Sequence, residues 1–266
     1  MRLRRRDRRR AGSGTTGRMG MGQPEIAQEH IIVTGGASGI GASVVEDLTG
    51  RGALVTVLDL QQAVSEERPA TVDYMRVDVT DEPAVQTAVA RARQRGGQVT
   101  GLVTCHGIRG SFLPALDLDF ARTRNVLDVH VLGTLAVSRE VVRGLEGAPA
   151  SIVTVSSTTA FGGWEKQSDY GVAKAAVRQL TENLAIEWAP LGVRVNSVAP
   201  GHTLTPMVQE MIDGGYDPGA VFARTPLGRF ATPGEMAASI VFLLLDATFV
   251  TGQCLAVDGG WTVVGK

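Results

Sequence analysis

Short, uninterrupted apolar runs alternate along this chain with longer stretches in which apolar residues recur every three or four positions. The runs at 31–34, 54–58, 74–77, 102–104, 152–155, 194–198 and 254–257 have the length expected of buried strands. The windows 40–48, 82–93, 120–143, 170–189 and 233–244 carry the helical period. Continuously apolar strands separated by helices predict an α/β fold, a doubly wound parallel sheet of about seven strands with helices on both faces. The apolar run at 241–245 gives way to Asp246 and is too short to cross a bilayer.

Length and charge refine this picture. At 266 residues and 28.0 kDa the chain can bury one substantial core, and a single catalytic domain over 24–266 is expected. Residues 1–23 hold eight arginines against Asp7 and read as a disordered Arg-rich tail, too poor in apolar groups to offset its ordering entropy. The net charge of −1 hides this asymmetry: setting aside those eight arginines and Asp7 leaves 18 basic and 26 acidic residues, a body near −8. An acidic body argues against nucleic acid as a partner of the core, leaving only the tail as a possible polyanion tether. No apolar leader segment follows the arginines. Cys105 and Cys254 offer neither a disulfide framework nor a metal-ligand spacing. A cytoplasmic protein with no metal and no membrane partner is expected.

The first strand runs directly into Thr34-Gly35-Gly36-Ala37-Ser38-Gly39-Ile40-Gly41. Strand, glycine turn and helix start in that order make a pyrophosphate cradle. Gly35 permits the bend, Gly39 and Gly41 admit close backbone approach, and the helix opening near Ile40 aims free N–H groups at the phosphates. The next strand ends in Asp59, about twenty residues on, where a carboxylate can accept both ribose hydroxyls and repel a 2′-phosphate. Ser38 and Leu60 supply no compensating positive charge, so NAD is the expected cofactor. Asp78-Val79 closes the third strand where a side chain can reach the adenine edge, although the same acidic stretch also reads as a helix N-cap.

Farther along, Ser157 precedes Tyr170 by thirteen residues, and Tyr170 and Lys174 are four apart. On a helix the latter two share a face, so the ammonium can lower the phenol's pKa from near ~10. Alone, Tyr-x-x-x-Lys would equally describe a solvated pair. Downstream of the glycine turn, the ordered set reads as a nicotinamide-dependent oxidoreductase.

Thr34-Gly35-x-x-x-Gly39-Ile40-Gly41, Asp59, Asp78-Val79, Ser156-Ser157, Tyr170-x-x-x-Lys174, Asn196-x-x-x-Pro200-Gly201, Thr205 and Val257-Asp258-Gly259-Gly260 together resemble the short-chain dehydrogenase/reductase family in its single-domain form, across residues 30–260. The resemblance implies a Rossmann-like sheet and NAD(H)-dependent interconversion of a secondary alcohol and a ketone. It implies that Tyr170 is the acid/base at the substrate oxygen. Lys174 then depresses the phenol and binds the nicotinamide ribose, and Ser157, with Ser156 as the alternative, polarises the carbonyl. Pro200-Gly201 resembles the turn facing the nicotinamide, with Thr203 and Thr205 at positions that contact its carboxamide and phosphate.

Two departures stand out. Thr104-Cys105-His106-Gly107 occupies the place of the family's Asn-Asn-Ala-Gly; Cys105 and Gly107 are expected to keep the backbone contacts to the cofactor, while His106 is bulkier than alanine. His130 stands where the family has the asparagine that holds a relay water near the lysine, and it either joins the relay or fills space. These two histidines are the reason for the alternative function, a catalytically weak NAD-binding sensor or scaffold.

By the same resemblance the substrate pocket draws on Arg109, Phe161, Trp164, Glu165, Gln167, Met207 and Met211, a mixture suited to a hydroxylated or cyclic molecule of modest size. Residues 206–219 read as a mobile lid with a hinge at Gly214-Gly215. Val126, Leu127, Val131, Leu135, Val177, Leu180, Leu184 and Trp188 exceed a single buried stripe and predict an isologous contact. The family implies a homo-oligomer, either dimer or tetramer.

Overall fold

The computed structural model describes residues 29–61 and 69–265; the Arg-rich segment expected to form a tail lies outside them. Seven strands, β1 (His30–Thr34), β2 (Leu54–Asp59), β3 (Val72–Arg76), β4 (Gly101–Thr104), β5 (Ala150–Val155), β6 (Val193–Pro200) and β7 (Cys254–Val257), form one sheet in the order β3-β2-β1-β4-β5-β6-β7. Every pairing is parallel. The strand order reverses between β1 and β4, and a crevice opens at the carboxyl ends of the strands at such a switch point.

Alternation along each strand explains why the apolar runs are continuous. Ile32, Leu58, Leu102, Ile152 and Val195 face one layer with α2 (Glu82–Gly96), α4 (Gly133–Arg143) and α5 (Tyr170–Trp188). Their neighbours Ile31, Val33, Val57, Val103 and Val153 face the other, with α1 (Gly39–Gly50) and α8 (Pro233–Val241). A strand covered on both faces has no polar side to show. Asp81 caps α2 by accepting from Ala84 N at 3.0 Å, and Thr232 and Glu235 form a capping box on α8.

The expected helix over 120–143 is interrupted. It consists of α3 (Phe120–Leu127), a π-helical turn at Asp128–Leu132 and α4, and the wide turn carries His130 inward to 2% exposure. The expected helix over 233–244 likewise passes from α8 into a π turn at Phe242–Asp246. There the Arg194 guanidinium donates to the carbonyls of Leu243 (2.9 Å) and Leu244 (2.8 Å). The segment read as a lid contains α6 (Pro206–Asp213) and leads into α7 (Gly219–Arg224).

The apolar excess read as an association surface is mostly core. Val126, Val177 and Leu184 are buried, and Leu135, Leu180 and Trp188 pack against the inner cluster. The exposed apolar side chains of this region are instead Phe120, Leu132, Val172 and Ile186. Among the described residues no helix is long and apolar enough to cross a membrane.

Candidate active site

The glycine turn is built by close packing of backbone. Gly35 has φ +66°, and a Cβ there would lie 2.7 Å from the His106 backbone; one at Gly41 would lie 2.1 Å from the Gly35 carbonyl oxygen. Only glycine permits both approaches. Ser38 is the N-cap of α1, yet its side chain makes no capping bond, and no acidic residue follows in the first turn. The helix therefore presents N–H groups and an exposed hydroxyl suited to an anion.

Asp59 accepts from Ala37 N at 3.0 Å through one oxygen and from Gln61 N at 2.9 Å through the other, which fixes the turn to the end of β2. Leu60 beside it is 56% exposed. Thr205, the N-cap of α6, closes the turn from the far side, 3.5 Å from where a Cβ on Gly39 would sit. Thr203 donates to Gly201 O at 3.2 Å, and Gly201, just past Pro200, has its Cβ position blocked by Asp258 Cα at 2.7 Å. Asp78 accepts from Thr80 N and Oγ1, so the helix cap in that stretch is Asp81 rather than Asp78. Val79 packs on Gly133.

Across the crevice, the structure brings Ser157, Tyr170, Lys174 and His130 together. The Ser157 hydroxyl accepts from Thr159 N at 3.2 Å and is near enough to the Tyr170 phenol to favour its ionised form. Ser156 differs, because its hydroxyl donates to Lys174 O at 2.8 Å within the base of α5. Lys174 is 5% exposed, and its Nζ donates to Val155 O at 2.8 Å and lies 5.6 Å from the Tyr170 ring centre. Burial pulls the ammonium down to about 8. The expected lowering of the phenol by this ammonium does not govern: burial pushes Tyr170 up to about 12, against the opposing influence of the nearby Ser157 hydroxyl. The ammonium is directed at a carbonyl, not at the phenol oxygen.

The two unusual histidines have different partners. Val129 O can only accept, so His106 Nε2 donates to it at 3.0 Å, and His106 Nδ1 accepts from Thr34 Oγ1 at 2.5 Å. The ring is thereby tied between β1 and the π turn. Burial, then the Lys174 charge, push its pKa down to about 4. His130 Nε2 donates to Ile108 O at 2.9 Å, and its ring meets Tyr170 edge-on at 5.4 Å. Its Nδ1 is buried and has no hydrogen-bond partner among the described residues. Burial and Lys174 push this imidazole down to about 2, which favours the neutral ring near pH 7. Gly107 leaves room for the ring, since a Cβ would lie 2.5 Å from its Cε1. Cys105, half-buried near Lys174, is raised to about 12 by desolvation, which favours the thiol.

Sequence reasoning missed a ring cluster that joins the loops after β5, β6 and β7. Trp164 stacks on Trp261 at 5.1 Å, and His202 lies 5.7 Å from the first and 4.8 Å from the second. The Arg224 guanidinium sits 4.2 Å over Trp261. These residues come from distant segments and share no local pattern. Of the other pocket candidates, Phe161 packs under Arg178, and Glu165 is solvent-exposed beside Lys166.

Comparisons with known proteins agree with the fold. The family model described as Enoyl-(Acyl carrier protein) reductase matches residues 35–262. The chain is 38% identical to cis-4-hydroxycyclohexanecarboxylate dehydrogenase of Sinomonas cyclohexanicum, over 90% of this chain and 98% of that one. It is 36% identical to 2,5-dichloro-2,5-cyclohexadiene-1,4-diol dehydrogenase of Sphingobium indicum, over 90% and 99%. Its backbone matches the solved structure of ElxO with NADP bound at a TM-score of 0.84 and 26% identity, covering 89% of this chain and 99% of that one.

The buried ammonium has a measurable consequence for stability. Because the folded pKa of Lys174 falls from 10.5 to about 8, the unfolded chain binds more protons between those values. The burial penalty is full below pH 8 and is relieved as pH rises toward 10.5. Lys174→Met is expected to be more stable than the parent at pH 7, on the order of 2 kcal/mol after loss of one hydrogen bond, with the advantage shrinking from pH 8 upward. Thermal melts across that range check this; a variant less stable at pH 7 contradicts it.

Proposed function

This chain belongs to the short-chain dehydrogenase/reductase family, and from that premise we propose an NAD(H)-dependent enzyme that interconverts a secondary alcohol and a ketone. The observation that carries the reading is the gathering of Ser157 just past β5, Tyr170 at the start of α5 and the buried Lys174, whose Nζ lies 5.6 Å from the Tyr170 ring centre. The nicotinamide supplies or takes the hydride when bound. In the reductive direction, Tyr170 gives its proton to the carbonyl oxygen as that oxygen gains charge, and Ser157 donates a hydrogen bond to the same atom. Lys174 stabilises the phenolate left behind. Oxidation runs the same proton the other way. His130 serves the relay as a neutral acceptor: its unpartnered Nδ1 is suited to hold a water near Lys174.

Cofactor choice rests on Asp59. A carboxylate has lone pairs beyond the two that its backbone partners use, enough to accept ribose hydroxyls, while its charge disfavours a 2′-phosphate. The two named dehydrogenases act on ring alcohols by their names, and the Trp164–His202–Trp261 wall supports a cyclic substrate here.

Three outcomes follow. Tyr170→Phe should lose more than about tenfold in turnover, ~1.4 kcal/mol or more, on a panel of cyclic secondary alcohols, while NADH fluorescence titration gives near-parental affinity. Retained turnover would end the acid/base assignment. NAD should exceed NADP by at least about tenfold in kcat/KM, and Asp59→Ala should narrow that gap; equal efficiencies for the parent would sink the cofactor reading. The exposed Phe120, Leu132 and Val172 support a homo-oligomer, so light scattering is expected to give a multiple of 28.0 kDa, and a monomer at micromolar concentration would refute it.

A further inference from the structure

The residue just before the tyrosine is a carboxylate with 1% exposure, Asp169. Its Oδ1 accepts from Tyr170 N at 2.7 Å and its Oδ2 accepts from Ser111 N at 2.7 Å. This is not how an N-cap works. A capping side chain reaches the second or third N–H of its helix from extended backbone, whereas Asp169 has helical backbone, φ −84° and ψ −57°, and bonds the very next N–H. Its second oxygen crosses to the loop after β4.

That loop, residues 107–112, is held at each step. Ile108 O accepts from His130, Arg109 O accepts from Arg122 Nη2 at 2.5 Å, and Ser111 N donates to Asp169. Gly110 lies between, with no room for a side chain: a Cβ would fall 2.7 Å from Tyr170 Cβ and 2.8 Å from Asp169 Oδ1. Just past the staple, Phe112 takes φ +54°, a conformation that a bulky residue keeps only when its surroundings impose it. The loop backbone is thus in contact with the tyrosine itself.

We propose that Asp169 is a positioning residue, whose carboxylate staples the 107–112 loop to the first turn of α5 and so fixes the Tyr170 phenol against Ser157. Both of its oxygens face N–H donors, so an asparagine must turn an NH2 toward one of them and can keep only one bond. The inference rests on the acid/base reading of Tyr170.

Two variants attack the junction from opposite sides: Asp169→Asn removes one acceptor, and Gly110→Ala forces a methyl group into the contact. Each should lower kcat about tenfold or more on the same alcohol panel while leaving the NADH dissociation constant within about twofold. The double variant should be little worse than the poorer single one, since both break the same contact. Amide exchange needs no substrate: protection over 107–112 should fall about tenfold in Asp169→Asn, with the sheet unchanged. Unchanged protection, or parental turnover in both variants beside an inactive Tyr170→Phe, overturns the staple alone. Turnover and cofactor affinity falling together would mark ordinary structural support and overturn it as well. An active Tyr170→Phe removes the reading beneath it. If Asp169→Asn does not fold, Gly110→Ala decides by the same kinetic criteria and by its own exchange over 107–112.

Discussion

A lysine held almost wholly out of water sets the terms for everything around it. Among the described residues the Lys174 ammonium has one carbonyl partner, Val155 O, and no carboxylate partner. Its neighbours are each driven toward the uncharged form. Burial keeps Cys105 a thiol and Tyr170 a phenol, and burial together with the ammonium keeps His106 and His130 neutral. Near neutral pH the cluster therefore carries one charge. A positive charge that nothing nearby dilutes acts strongly on any negative charge formed within reach, because the low-dielectric surroundings screen it little. The same fact explains how two histidines can replace the residues usual in the family without adding competing cations.

The sheet makes that burial possible. Tyr170 and Lys174 sit on the first turns of α5, and Val155, Ser156 and Ser157 leave the end of β5 beside them. The parallel strands were legible because each is covered on both faces and reads as an unbroken apolar run. Their limits were less so: β3 occupies Val72–Arg76 rather than 74–77, because pairing to β2 sets the register and Asp73 finds Arg95 at 2.8 Å. The π turns were not legible at all. One extra residue in a turn leaves the apolar period of 120–143 nearly intact, and what betrays it is the inward face of His130, which no pattern specifies.

The motif residues were visible for a simple reason: each follows a strand end, and the order of strands is written in the chain. Direction was not. Four-residue spacing puts Lys174 near Tyr170, but only the three-dimensional path of β5 turns the ammonium toward Val155 O, so the expected sign of the phenol shift came out reversed. Asp169 and Gly110 were missed because their meaning lies in a contact between segments 58 residues apart. An aspartate before a helix reads locally as a cap, and nothing in the sequence says that its second oxygen leaves the helix.

The same limit applies to substrate choice, with more force. Trp164 follows β5, His202 follows β6 and Trp261 follows β7, and their rings stack into one body with Arg224 laid across the Trp261 indole. A wall assembled from three strand ends responds as a unit, so a change in any one ring alters the surface that the other two present. Ser157, Tyr170 and Lys174, by contrast, ride on a strand end and a long helix packed on the core. Rigid elements hold the chemistry constant while the loops that carry the wall are free to vary. That division accounts for the mixed names of the proteins this chain matches, a family model described by an enoyl reductase and relatives named as ring-alcohol dehydrogenases. The sheet and its helices are the constant frame, and the loops that leave its strand ends are where proteins built on it can differ.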